Sequence, residues 1–311
     1  MNSSHSTCKE LIRARAIEEG AWACGFATVE DVDAGARAIY DSWIAHGRHG
    51  EMHYCADYMQ QRTNPSYLLP GASTVICCAY NYHRPAPSSP MAGMIAEYAW
   101  GDDYHFAVKR RLGELAGYIT STFGGECRSL VDTAPMRERY WAMKAGVGFV
   151  GINNQLIVRG AGSRFFLGEL LWTGSVPPDN PDTGSCEGCM ACVRSCPGHA
   201  LDGRGGCDAR RCVSYLTIEH RGELPSGCDL HGNIYGCDIC QQVCPHNSNH
   251  PVSTLPEFDA ISPLLDISPD EIDSMTGSRY KKMVAHSAMR RVPLAQLRRN
   301  VNVKKLRNDK M

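Results

Sequence analysis

Residues 186–197 read CEGCMACVRSCP, and residues 237–245 read CDICQQVCP. The first run sets Cys186, Cys189, Cys192 and Cys196 at C-x2-C-x2-C-x3-C with Pro197 directly after. The second sets Cys237, Cys240 and Cys244 at C-x2-C-x3-C before Pro245. This is the spacing of bacterial 4Fe–4S proteins, in which the last cysteine of a run ligates the other cluster of a pair. Crossing assigns Cys186, Cys189, Cys192 and Cys244 to one cluster. The other takes Cys237, Cys240, Cys196 and one of the intervening Cys207 and Cys212. Cys212 is the choice, because DARRCVSYLTIE predicts a helix that would hold its thiolate still. C-x2-C pairs also bind zinc, but zinc sites close with separated pairs. Three cysteines at successive two-residue gaps, then C-x3-C-P, do not fit that pattern.

A chain of 311 residues can build one large or two modest domains around a sizeable core. Its 16 cysteines would suit a disulfide scaffold in a secreted protein. The opening MNSSHSTCKELIRARAIEEG, however, has no apolar run for a signal peptide and no twin-arginine pair before one. Nothing approaches the roughly 20 apolar residues that span a bilayer. The expectation is a cytoplasmic protein without membrane contact, whose reduced thiols are available to iron. Cysteines outside the clusters, Cys77 and Cys78 among them, read as small core residues.

The net charge of -1 excludes nothing, but its distribution is uneven. From Gly277 to Asn308 there is no acidic residue, while Arg279, Lys281, Lys282, Arg290, Arg291, Arg298, Arg299, Lys304, Lys305 and Arg307 are basic. Such a segment is either a solvated helical face or a phosphate-binding surface.

Upstream, helical stretches are expected near Cys8–Gly20, Ala34–His46 and Tyr104–Phe123, the last with a stripe of Leu112, Leu115, Ala116 and Ile119. Ala23–Val29 and Thr74–Tyr80 read as strands, and HRPAPSSPMAG as a surface loop. In CRSLVDTAP a strand runs into a helix start, with Asp132 or Thr133 as cap and Pro135 in the first turn of a helix reaching about Ala145. GVGFVG has the G-x-G-x-x-G form but follows a helix instead of opening one, so it reads as a tight turn and not a dinucleotide site. Asn154–Arg159 and Arg164–Thr173 are expected to pair as strands across a loop at Gly160–Ser163. PPDNPDTGS is a linker. The alternation before residue 175 predicts an α/β or α+β domain, followed by a cysteine-rich domain stapled by metal.

Several stretches together resemble the epoxyqueuosine reductases: QQRTNPSYLLPGA, WGDDYH, VDTAPMRERYWAMKAGVGFVGINN, SRFFLGELL, the first cysteine run, RCVSYLTIEHRGELP, GNIYGCDICQQVCPHN and AMRRVPLAQLRRN. The resemblance runs in the family's order from about residue 8 to 300. It implies an α+β architecture: a nitroreductase-like cobalamin-binding catalytic domain (1–175), a ferredoxin-like double 4Fe–4S domain (176–250) and a basic helical C-terminal segment (251–311). It implies reduction of epoxyqueuosine to queuosine in the anticodon loop of tRNA, by a monomer fed by an external electron donor.

By position, Asp132 matches the proton donor, and Arg62, Asp132, Leu156, Leu167 and Ser214 match residues lining the cobalamin. Asp238, in YGCD, lies next to that cofactor. Asp132 can act as an acid only if the site raises its pKa well above about 3.9. Arg221, Arg290, Arg291, Arg298 and Arg299 are the candidates for RNA contact, with Tyr54 and Tyr58 as candidate stacking rings. Neither D-x-H fragment (Asp103–His105, Asp229–His231) continues into the D-x-H-x-x-G pattern of a cobalt-ligating histidine, because Val108 and Ile234 stand at the glycine position. Ile152 stands where the family commonly has lysine. Two other readings compete: a dehalogenase-like cobalamin reductase for a small molecule, and a plain electron carrier. The basic segment weighs against the first and the large N-terminal domain against the second.

Overall fold

The computed structural model describes the backbone of residues 2–308 and the side chains of residues 7–303, so the side chains of Lys304, Lys305 and Arg307 lie outside the described residues. The chain opens with α1 (Asn2–Glu18), β1 (Ala23–Thr28), α2 (Ala34–Ala45), the short α3 (Met59–Thr63) and β2 (Thr74–Asn81). Then come α4 (Tyr104–Phe123), β3 (Cys127–Leu130), α5 (Glu138–Lys144), β4 (Phe149–Val150), β5 (Leu156–Ile157) and β6 (Phe165–Trp172). The cysteine-rich part carries three short helices, α6 (Ala191–Ser195), α7 (Val213–Ile218) and α8 (Ile239–Gln242). α9 (Pro269–Ser274), α10 (Gly277–Met283) and α11 (Leu294–Asn308) complete the order.

Four strands form an antiparallel sheet in the order β1-β2-β6-β3. All eight residues of β2 are buried, which explains why its sequence is apolar throughout instead of alternating. Side chains alternate across it by the two-residue period of a strand. Ile76, Cys78 and Tyr80 pack with α1 and α4 through Ile12, Ala16, Leu112, Leu115 and Ile119. Val75, Cys77 and Ala79 pack on the other face with Trp141, Ala142 and Ala145 of α5. The sheet is thus covered on both faces. α5 approaches so closely that a Cβ on Gly25 of β1 would meet the Ala145 carbonyl oxygen at 2.0 Å.

Two local expectations are corrected. The Leu156–Ile157 strand pairs with Phe149–Val150, not with β6, because β6 already has β2 on one edge and β3 on the other. The helix after VDTAP starts at Glu138, not at Asp132. Asp132 takes a left-handed φ of 45°, and Ala134 precedes a proline, a position that disfavours helical backbone.

The C-terminal segment does not pack as a separate unit. One core joins Met91, Ile95 and Trp100 to Ile218, Ile234 and Tyr235, and to Leu264, Ile272, Tyr280, Met289, Leu297 and Val301. Main-chain bonds run from Ala96 N–H to the Tyr235 carbonyl (2.8 Å) and from Ile234 N–H to the Met94 carbonyl (2.8 Å). The boundary expected at residue 251 is therefore not a packing boundary, and the loop read as surface buries Met91. Among the described residues no helix is long and apolar enough to cross a membrane.

Gly25→Ala should destabilise the fold by about 3 kcal/mol, the upper part of the usual range for overpacking, because the new methyl meets a main-chain oxygen that cannot rotate away. Urea denaturation at equilibrium measures this. A midpoint equal to the parent's would mean that α5 yields without cost.

Candidate functional site

The two cysteine runs fold toward each other, and their sulfurs divide into two groups. Cys186, Cys189, Cys192 and Cys244 line a single cavity of about 280 Å³, counting its open mouth, with Asn153 and Ile157 in its wall. Burial raises the Cys192 thiol, and the neighbouring Cys186 and Cys244 sulfurs raise it further. At the second place, Cys240 is pushed up by burial and then by Cys237, Cys212 and Cys196. Four sulfurs around one space are the donor set of a 4Fe–4S cluster, and the first four line one cavity.

Cys212 is the residue just before α7. A hydrogen bond from the Cys207 thiol lowers its pKa to about 6, with help from the Tyr215 and Ser214 amides and against burial. Cys207 therefore stands at the same site as Cys212.

A second constellation lies around Asp132. The Asp132 carboxylate meets His105 Nε2 at 2.9 Å, and His105 Nδ1 meets Asp103 at 2.6 Å. The Asp132 side chain is 45% exposed although protein packs closely around it. Burial pushes its carboxyl up, but the His105 hydrogen bond and charge, with the Tyr104 hydroxyl, outweigh this and hold it below the ordinary carboxylate range. Burial likewise works against the His105 cation, yet its two carboxylate partners raise its pKa to about 9. Behind Asp132, the Glu138 carboxylate accepts the Asp132 N–H at 2.5 Å and is pushed up to about 7, first by burial and then by Asp132 itself. Deeper still, Glu169 on β6 is wholly buried with both oxygens unpartnered and its pKa well raised. The expectation that the site raises the Asp132 pKa is thus reversed. The raised acids are His105 and the two glutamates.

Arginines from the basic segment reach this rim. Arg290 pairs with Asp103 (3.1 Å) and lies 4.7 Å over the exposed Phe106 ring. Arg291 pairs with Glu219 (2.8 Å) and lies 5.7 Å from the Tyr54 ring centre. Arg62 donates to the Tyr54 and Asp57 carbonyls from α3. Arg221 donates to the Gln296 side chain and, at 3.4 Å, to the Arg291 carbonyl. Arg298 and Arg299 do not belong to this surface. Arg298 donates to the Ile272 (3.1 Å) and Met275 (2.5 Å) carbonyls, and Arg299 to those of Leu216, His220 and Gly222 at 2.6–3.0 Å.

Leu156 is buried on β5, and Leu167 is half-buried on β6. Ser214 opens α7, where its amide serves Cys212. Asp238 precedes α8; its carboxylate accepts the Glu97 N–H at 2.7 Å, and burial raises it to about 6. The sequence leaves His105 as a surface or substrate-pocket residue and does not single out Glu138 or Glu169. The signals for the first two are Asp103-x-His105 in WGDDYH and a glutamate six residues after Asp132; Glu169 carries none.

Residues 62–133 match a protein family described as "Epoxyqueuosine reductase QueG, DUF1730", and residues 185–247 one described as "4Fe-4S double cluster binding domain". The epoxyqueuosine reductase of Cellulophaga algicola is 32% identical over 94% of this chain and 96% of its own length. The chain belongs to the epoxyqueuosine reductase family. One solved epoxyqueuosine reductase, bound to an epoxyqueuosine-modified tRNA-Tyr stem loop, superposes with a TM-score of 0.88 at 26% identity, covering 96% of this chain and 81% of its own. Another, from Bacillus subtilis with its catalytic aspartate loop swung out of the active site, gives 0.87 at 25% identity over the same shares. As an epoxyqueuosine reductase the protein is an oxidoreductase carrying two 4Fe–4S clusters. The small-molecule reading falls away.

Cluster ligation is testable by iron content. Cys207→Ala should keep nearly all the iron. The double variant Cys207→Ala/Cys212→Ala should lose about half, because it removes both sulfurs that could complete the second set. Loss of half the iron in Cys207→Ala alone would transfer the ligand role to Cys207.

Proposed function

We propose that this reductase removes the epoxide oxygen of epoxyqueuosine in a tRNA anticodon loop, with cobalamin held beside the second cluster and Asp132 facing the substrate. The observation that carries the reading is the His105-bridged pair of carboxylates, open to solvent at Asp132 and flanked by Arg290 and Arg291. Converting an epoxide to an alkene consumes two electrons and two protons and releases water. No side chain stores low-potential electrons, so a bound cobalamin, reduced through the clusters, supplies the reducing centre.

The residues available for that cofactor suit it chemically. Half-buried Leu167 offers apolar surface to a flat corrin, buried Leu156 can contribute only through its main chain, and Ser214 and Asp238 offer polar groups at two helix starts. The Asp238 side chain is already engaged by Glu97, so its contribution is through the main chain. The histidines of the two D-x-H fragments are engaged as well, His105 by two carboxylates and His231 by Asp229 (3.1 Å).

The chain's own part is the proton. At neutral pH His105 holds it on Nε2, pointed at Asp132. As negative charge develops on the departing oxygen, the proton can pass along that bond and leave from the exposed carboxyl. Asp103 keeps the imidazole oriented, and Arg290 holds Asp103. The second proton enters from solvent at the exposed side of Asp132. Arg290 and Arg291 supply phosphate contacts, and Phe106 and Tyr54 beneath them supply faces for unstacked bases.

Asp132→Asn keeps shape but cannot carry the proton, so single turnover on epoxide-bearing tRNA should fall about 100- to 10,000-fold. Bound cobalamin, measured on the same samples, should stay near the parent level. Loss of cobalamin together with activity would make Asp132 a cofactor ligand instead.

The pH profile tests His105. Its folded pKa is raised, so the cation persists from the unperturbed 6.5 up to about 9 and is lost above. The single-turnover rate should therefore hold from neutral pH to about 9 and then decline. His105→Asn should be slower and lack that alkaline limb. A parent-like limb in His105→Asn would assign it to another group.

For RNA, Arg290→Ala/Arg291→Ala should flatten the salt dependence of tRNA binding by roughly 0.7 to 0.9 per lost phosphate contact. Arg298→Ala/Arg299→Ala should instead lower the melting temperature and leave the slope unchanged. Equal slopes in parent and Arg290→Ala/Arg291→Ala would remove these two from the RNA surface.

A further inference from the structure

The turn between β4 and β5 lies against the first cluster cavity. Its Gly151 N–H donates to the Gln155 carbonyl at 2.9 Å, and the Ile152 N–H points at Cys186 Sγ at 3.4 Å. A Cβ on Gly151 would meet Ile157 Cδ1 at 2.6 Å, Asn153 Oδ1 at 3.0 Å and Cys186 Sγ at 3.4 Å, so the turn packs closely against the cavity wall. Asn153 lines the cavity together with the four cysteines and is 5% exposed.

The two ends of the Asn153 carboxamide differ. Oδ1 accepts the Gln155 N–H at 3.2 Å, and because a main-chain N–H can only donate, this fixes which end is oxygen. Nδ2 is left buried without an acceptor. An orphaned donor is costly inside a protein. Water is a poor remedy here: a buried water needs two to four polar partners, and Ile157, Ala191 and Pro245 give the wall carbon. The atoms a filled cavity would add are sulfurs carrying negative charge.

We propose that Asn153 donates its side-chain N–H to a sulfur of the first 4Fe–4S cluster and so raises that cluster's reduction potential. The proposal rests on the cluster assignment above. A donor to cluster sulfur favours the reduced state, which carries one more negative charge. The Ile152 amide acts beside it through the main chain, so a lysine-to-isoleucine difference at position 152 leaves that second donor in place.

The experiment is a redox titration of the anaerobic holoenzyme followed by electron paramagnetic resonance, in the parent, Asn153→Ala and Asn153→Asp. Iron analysis of each sample comes first. About eight irons per chain show that both clusters are present, so a failure of the cluster assignment is seen separately. A hydrogen bond to a charged group is worth about tenfold in an equilibrium. Asn153→Ala should therefore lower the reduced-to-oxidised ratio of one cluster about tenfold at fixed potential, a 59 mV shift for a one-electron couple. Asn153→Asp, which keeps the acceptor toward Gln155 and replaces the donor by negative charge, should lower it at least as far. The second couple should stay put. Two unshifted couples in iron-replete Asn153→Ala would overturn the proposal.

Should either variant lose the cluster, the parent decides the matter. With asparagine labelled by ¹⁵N in its side chain, pulsed resonance of the reduced cluster should show coupling to one nitrogen. Its absence would also overturn the assignment.

Discussion

Several cysteine sulfurs brought to one buried place are unfavourable without a cation. As thiolates they repel one another, and as thiols they leave polar groups poorly paired. The raised Cys240 and Cys192 pKa values record this conflict, since in each case neighbouring sulfurs add to the effect of burial. Iron removes it, and a structure that folds around iron gains the ligation energy as folding energy. The crossed pattern ties residues 186–196 to residues 237–244, and α7 brings Cys212 to the second set from the chain between them. The rest of the molecule is arranged by that closure. Asp238 sits between two ligands and reaches back to the Glu97 amide, while the stretch 91–100 pairs with residues 234–235.

That pairing is also what assembles the acid. The chain leaves the shared core at Trp100, its Asp103 N–H donates to the His286 carbonyl (2.7 Å), and Asp103 ends beside Arg290. His105 in the first turn of α4 then spans from Asp103 to Asp132, just after β3. The C-terminal segment therefore reaches the Asp103–His105–Asp132 chain. Its Arg290 fixes the carboxylate that fixes the imidazole.

A depressed Asp132 is compatible with proton delivery because the proton is stored one bond away. A carboxylic acid protonated at rest would need a dry environment and would exclude the polar anticodon loop from its side. In the proposed mechanism the proton rests on His105, whose pKa two carboxylates raise to about 9, while Asp132 stays partly exposed. The left-handed backbone at Asp132 is held by its own N–H bond to Glu138, a glutamate whose pKa burial raises.

The sequence by itself determined whatever depends on local spacing. The cysteine gaps specified two clusters, the apolar run at 74–80 specified a strand, and the stripe on Tyr104–Phe123 specified a helix. It also held Asp132, through a stretch resembling a known family. Only the tertiary structure decided how these parts act. Arg290 and Arg298 are indistinguishable in a basic run, yet one faces an active carboxylate and the other caps main-chain carbonyls. The Asp132 carboxyl is held low because a histidine 27 positions earlier is folded against it. The reason is physical: hydrogen-bond partners and burial set the charge of a side chain, and both come from residues far away in the chain.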